Sequence, residues 1–148
     1  MAQLYFQNSY VSIYYNKELC LGKAVWRGEL VSAEFREAVL LCLDLIDRNG
    51  IKGWLGDNRK MLSISASDLE WCTKVFIPQL IESPLLRLAN LASANEQNRK
   101  AVEVMYSKGN NPLEKFTVRD FHDEAAAVAW LTELSNQPSS KESPFKDS

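Results

Sequence analysis

The chain has 148 residues, 46% hydrophobic and 24% charged, and a net charge of −2. That length buries roughly 70% of the unfolded surface, enough for one domain without covalent staples. Lys and Arg are interspersed with Asp and Glu, so no basic stripe exists to neutralise phosphates, and nucleic acid is excluded as a partner.

No window approaches about 18 uncharged apolar residues, and the N-terminus lacks the basic start and apolar run of a signal peptide. The chain is therefore expected to be soluble, with no transmembrane segment. Cys20, Cys42 and Cys72 are odd in number, have no CxxC spacing and sit in apolar contexts. Reduced thiols packed as small hydrophobes fit that pattern, and a cytoplasmic location is expected.

In chain order, 3–7 and 10–15 are rich in aromatic and β-branched residues and flank Asn8-Ser9, which predicts two antiparallel strands. Leu4 to Asn8 resembles part of a protease-tag site, but its alternation runs on into the next strand, so a native segment and a tag remnant both fit. A third strand over 19–26 is apolar on both faces, the mark of an interior strand. Ser32 is expected to cap a helix running to Arg48 and closed by Asn49-Gly50. Its buried stripe is Phe35, Ala38, Val39, Cys42, Leu45 and Ile46. Leu40 and Leu41 fall off the stripe. They give either a wide buried face or a second contact surface, for which a homodimer is one use.

A short strand over 51–56 leads into a polar turn, Asp57-Asn58-Arg59-Lys60. Ser67-Asp68-Leu69-Glu70 reads as a capping box opening a second helix, with Leu69, Cys72, Phe76 and Leu80 buried, Trp71 and Val75 flanking, and Pro78 kinking or shortening it. A strand over 85–92 follows. Asn95 then caps a polar helix to Lys108, broken by Gly109-Asn110-Asn111-Pro112. A last strand over 116–121 leads to a helix capped by Asp123, with Ala127, Trp130, Leu131 and Leu134 as its stripe. Residues 1–136 form one domain, and 137–148, rich in Ser, Lys, Pro and Asp, read as a mobile polar tail. Alternating units of this kind predict an α/β domain: a mixed sheet with an N-terminal antiparallel meander followed by right-handed βα units.

Chemistry finds little purchase. His122 is the single histidine and has no second histidine with which to share a metal. No Gly-rich phosphate loop, nucleophile elbow or HExxH occurs, so no metal, cofactor or catalytic residue is assigned. Asp57 follows a strand, where α/β folds place active groups, yet the acidic pair that would hold magnesium beside a phospho-acceptor aspartate is missing. Bonding of the turn backbone by Asp57 and Asn58 is the plainer reading. Ser63 and Ser65 approach a helix N-terminus, where a phosphate would be stabilised, and are the candidate phospho-acceptors against a background of ordinary turn serines. Trp71 and Phe76 are candidates for lining an apolar-ligand gap.

Several segments together resemble bacterial STAS-like proteins, relatives of the anti-sigma-factor antagonists. They are Trp26-Arg27-Gly28, Phe35-Arg36, Trp54-Leu55-Gly56-Asp57-Asn58-Arg59, Ser67-Asp68-Leu69-Glu70-Trp71, Glu124-Ala125 and Ala129-Trp130-Leu131. The similarity runs from Tyr10 to Leu134. It implies a sheet with helices stacked along it, a protein-binding regulatory role and no enzymatic reaction. In the antagonists a serine in an Asp-Ser-Ser-Gly setting is phosphorylated, and no serine here matches that motif. The resemblance also extends to lipid-transfer modules of the CRAL-TRIO kind, so the alternative is a carrier or sensor of a small apolar or lipid-like ligand. The expected partner surface comprises Asp57, Asn58, Arg59, Ser63 and Ser65.

Overall fold

The computed structural model describes residues 2–108, 115–135 and 144–145. Six strands, β1 (Ala2–Gln7), β2 (Val11–Asn16), β3 (Leu21–Gly28), β4 (Gly53–Met61), β5 (Arg87–Leu91) and β6 (Thr117–Phe121), form one sheet in sequential order. The first two junctions are antiparallel and the remaining three parallel. The mixed α/β architecture with an antiparallel start is thus observed. Asn8 makes the first turn, its side-chain carbonyl accepting from the amides of Tyr10 and Val11.

Each parallel connection carries helix. α1 (Ser32–Asn49) links β3 to β4. A helical run of α2 (Ala66–Trp71), a π turn (Cys72–Phe76) and α3 (Ile77–Glu82) links β4 to β5, and α4 (Glu96–Lys108) links β5 to β6. α5 (Glu124–Thr132) follows β6. Because successive residues of a strand face opposite sides, Trp54 and Leu88 join α1 to α4 in one apolar cluster, while Leu55 and Ala89 join α5 in another. Sequential parallel strands with every crossover on one face are what crossovers of a single hand produce. β3 is interior and contributes to both clusters, Ala24 and Trp26 to one and Leu21 to the other.

The predicted α1 stripe is buried throughout, with Leu43 added to it. Leu41 is partly buried against the same cluster and Leu40 is exposed. Gly50 ends α1 in the left-handed conformation, its N–H reaching the Ile46 carbonyl. Gly22 makes room for the Trp54 indole, which occupies the space any Cβ there would need.

Four local expectations are corrected. Ser32 is the first helical residue, not the cap; Val31 precedes the helix, and Glu34 accepts from its amide. Asp57 to Lys60 form no turn but continue β4, because Asp57 and Asn58 find partners on opposite faces of the sheet. The cap of α2 is Ser65, accepting from the Asp68 amide at 3.1 Å, and Glu70 pairs instead with Lys74. Pro78 neither ends nor sharply shortens the helical run. It has no N–H for the Lys74 carbonyl, and the preceding turn widens so that the Ile77 amide reaches Cys72.

Asn95 and Asp123 cap α4 and α5 as expected. Gly109 to Pro112, expected to break α4, lie outside the described residues. So does most of the expected tail, of which Pro144 and Phe145 sit against the sheet.

Candidate functional site

The carboxyl-terminal half of β4 carries polar groups to both faces of the sheet. On the α5 face, Asp57 is 6% exposed. Arg59, two residues on and therefore on the same face, donates from Nε at 2.9 Å and from a terminal nitrogen at 2.8 Å to the two carboxylate oxygens. The Arg59 backbone amide adds a third bond at 3.2 Å. Burial pushes the Asp57 carboxyl upward, but the Arg59 hydrogen bonds and charge, helped by Lys23, outweigh it and hold the group below the usual carboxylate range. Glu124, in the first turn of α5, lies 2.8 Å from Lys23 and 3.7 Å from Arg59. Two acids and two bases thus form a balanced cluster in which Asp57 stays ionised and tied, a poor general base.

On the opposite face, Asn58 donates to Asn90 at 2.9 Å, and Asn90 donates to Asp120 at 3.0 Å. This ladder crosses β4, β5 and β6; Asn90 and Asp120 are register partners, and Asn58 reaches Asn90 from two residues beyond Gly56, its register partner on β4. Its members lie 32 and 30 positions apart, so no local pattern announces them.

Asn58 and Asn90 border a cavity of about 60 Å³ between the sheet and the helices, whose other walls include Phe76, Met105 and Tyr106. Burial raises the Tyr106 phenol above its ordinary value. Trp71 does not line this cavity; its indole lies under Arg36, 5.4 Å from the guanidinium carbon. Of the two apolar-ligand candidates, only Phe76 faces the space. That space is well below the roughly 300 Å³ at which small-molecule sites begin. Beyond Asn90 a wider groove of about 380 Å³ runs between α4 and β6, past Arg99, Glu103 and Asp120. Asn98 donates to the Leu62 carbonyl, and its own carbonyl oxygen is buried without a partner among the described residues.

The serines divide. Ser65 is exposed but engaged as the α2 cap, Ser63 is half-buried, and the Ser67 hydroxyl accepts from Arg36 at 3.0 Å. Asp68 is buried beneath Arg36 (3.0 Å) and the Ser32 hydroxyl (3.1 Å), locking α2 to α1. His122 is exposed at the β6–α5 corner. Just beyond the paired ends of β3 and β4, Val31 is 63% exposed and Leu62 47%. Neither was singled out in the sequence, where an isolated apolar residue in a loop gives no signal.

Among the described residues no group of three or more His, Cys, Asp or Glu side chains could hold a metal ion. No helix among them is long and apolar enough to cross a membrane.

No protein-family profile matches the chain, and no curated protein does. Among solved structures, the chain is similar to an uncharacterized protein of the DUF3478 family, with a SpoIIAA-like fold, from Shewanella loihica PV-4. The two share 16% identity over 88% of this chain and 92% of that one, with a TM-score of 0.50. At that identity the likeness speaks to architecture alone, and it agrees with the strand order and helix placement above: the chain has a SpoIIAA-like, STAS-like α/β fold.

Proposed function

We propose that this chain is a non-enzymatic regulatory module of the cytoplasm, which binds a protein partner along the edge where β3 and β4 end. The observation that carries the reading is the exposure of Val31 and Leu62 on the two segments that leave the paired ends of β3 and β4. Exposed Arg59 and Lys60 precede Leu62, and the Ser63 to Ser65 segment leading into α2 follows it. Two large apolar side chains held in water beside basic and hydroxyl groups suit a partner offering an apolar side chain flanked by an acidic one.

Of the residues expected to bind, Arg59, Ser63 and Ser65 are accessible in whole or in part, whereas Asp57 and Asn58 are buried behind them as supports. Their engagement with Arg59 and Asn90 favours binding over chemistry. Three unpaired cysteines, two of them buried, suit a reducing compartment.

The test compares proteins captured by the parent chain with those captured by Val31→Ser and Leu62→Ser. Partners lost from both variants while the fold is retained would support the reading; an unchanged set of partners would remove this edge from consideration. Arg59→Glu is a poor probe, because it strips Asp57 of its counter-charge as well as altering the surface.

A further inference from the structure

The α5 face of the sheet has a second occupant. α5 packs on β4, β5 and β6, and farther along the same face lies Phe145, 7% exposed, in the apolar cluster that contains Leu21 and Leu55. Tyr14 and Leu19 pack at the margin of that cluster. The Pro144 carbonyl accepts from the Asn16 side-chain nitrogen at 3.0 Å, across 128 positions of sequence. Lys23 Nζ lies 5.7 Å from the centre of the Phe145 ring.

These contacts have the character of a receptor. Asn16 and Tyr14 alternate onto one face of β2, and their partners across the strand pair are Leu21 and Lys23. Asn16 is buried, and its side-chain oxygen is fixed by the Leu19 amide at 3.0 Å. Its nitrogen is thereby presented to a main-chain carbonyl, beside an apolar floor and a cation placed for an aromatic ring.

We propose that this slot is a peptide-binding site, which reads a main-chain carbonyl followed by an aromatic side chain and is filled in cis by Pro144 and Phe145. It is separate from the Val31 and Leu62 edge and does not depend on the function proposed for that edge. Taking an intramolecular effective concentration of about 1 mM, cis occupancy requires an intrinsic Kd no weaker than about 1 mM. A competing peptide must better that figure.

The experiment uses the full-length chain carrying Phe145→Ala and, as probe, a synthetic acetylated peptide spanning Lys141 to Ser148. The probe is expected to bind the variant with a Kd of about 1 mM or tighter, and the parent at least about twofold more weakly. Amide resonances of Leu21 and Lys23, shifted by the substitution, should return toward their parental positions as the probe is added. A probe with Ala at the Phe145 position should not restore them. Asn16→Asp, which keeps the acceptor for Leu19 but removes the donor, should weaken binding to the Phe145→Ala chain by about tenfold. Equal binding to parent and variant, no binding to either, or equal binding by the two probes would each overturn the proposal. Should Phe145→Ala unfold the chain, Asn16→Asp alone carries the test. Its Phe145 ring resonances should move to solvent-exposed positions, and unchanged resonances would defeat the idea.

Discussion

Arg59 closes on Asp57 from two residues farther along β4, a two-point ion pair at 2.8 and 2.9 Å between a half-exposed guanidinium and a buried carboxylate. Because the folded-state pKa of Asp57 is depressed, the pair contributes stability above the unfolded value of about 4, and that contribution is lost as pH falls through the lower folded value. Arg59→Ala leaves burial opposed only by the backbone amide of residue 59 and by Lys23, and should cost about 2 kcal/mol at pH 7, toward the low end for a charged hydrogen-bonded pair because Arg59 is half solvated. The difference between parent and variant should shrink as pH falls below the unfolded carboxylate value of about 4, because protonation of Asp57 removes the charge that Arg59 pairs. Urea midpoints at pH 7 and pH 3 measure it, and a pH-independent difference would show that the pairing is not its source.

Ser65 and Ser67 compete on paper for one cap, since each is followed three positions later by an acid. Ser65→Ala should cost about 1 kcal/mol, the usual value of an N-cap, shifting Tm by about 2–4 °C. Ser67→Ala removes only an exposed bond from Arg36 and should stay within about 0.5 kcal/mol. The reverse order in a thermal melt would return the cap to Ser67.

That competition also shows what the sequence could and could not reveal. The choice of Ser65 rests on Asp68, whose carboxylate is buried under Arg36 and Ser32 of α1, more than thirty positions away. Asp57 to Lys60 reads as a turn for the same reason, because burial of Asn58 depends on Asn90 across the sheet. Where local chemistry decides alone, as with the α1 stripe, the left-handed Gly50 and the caps Asn95 and Asp123, residue pattern and structure agree. The mixed sheet with an antiparallel start was legible because a meander followed by βα units leaves few architectures open. The polar ladder and the Val31 and Leu62 edge were not, because each assembles residues far apart in the chain.

The three thiols should separate by reactivity. Burial pushes Cys72 up to about 12 and raises Cys42 as well, while Cys20 is half-buried near the surface. With a thiol-reactive disulfide reagent at neutral pH, Cys20 alone should react in the folded protein, and all three in denaturant. Cys20→Ser should abolish the native-state reaction. Rapid labelling of a second thiol in the folded chain would contradict the packing of α1 or of the π turn.

The ladder makes a sharper energetic claim. Asn90→Leu removes both the acceptor for Asn58 and the donor to Asp120 in one change of similar volume. The Asn58 amide is then left buried and unpaired, at a cost of about 1–3 kcal/mol. If that cost comes from the stranded amide, Asn58→Leu in the same chain should recover part of it, since apolar groups at both positions leave nothing unsatisfied on β4. A double-mutant cycle by urea unfolding should therefore give a double variant less destabilised than the sum of the singles, by about 1 kcal/mol. Strict additivity would mean that water reaches Asn58 from the cavity beside it, and that the ladder orders these strands without stabilising them.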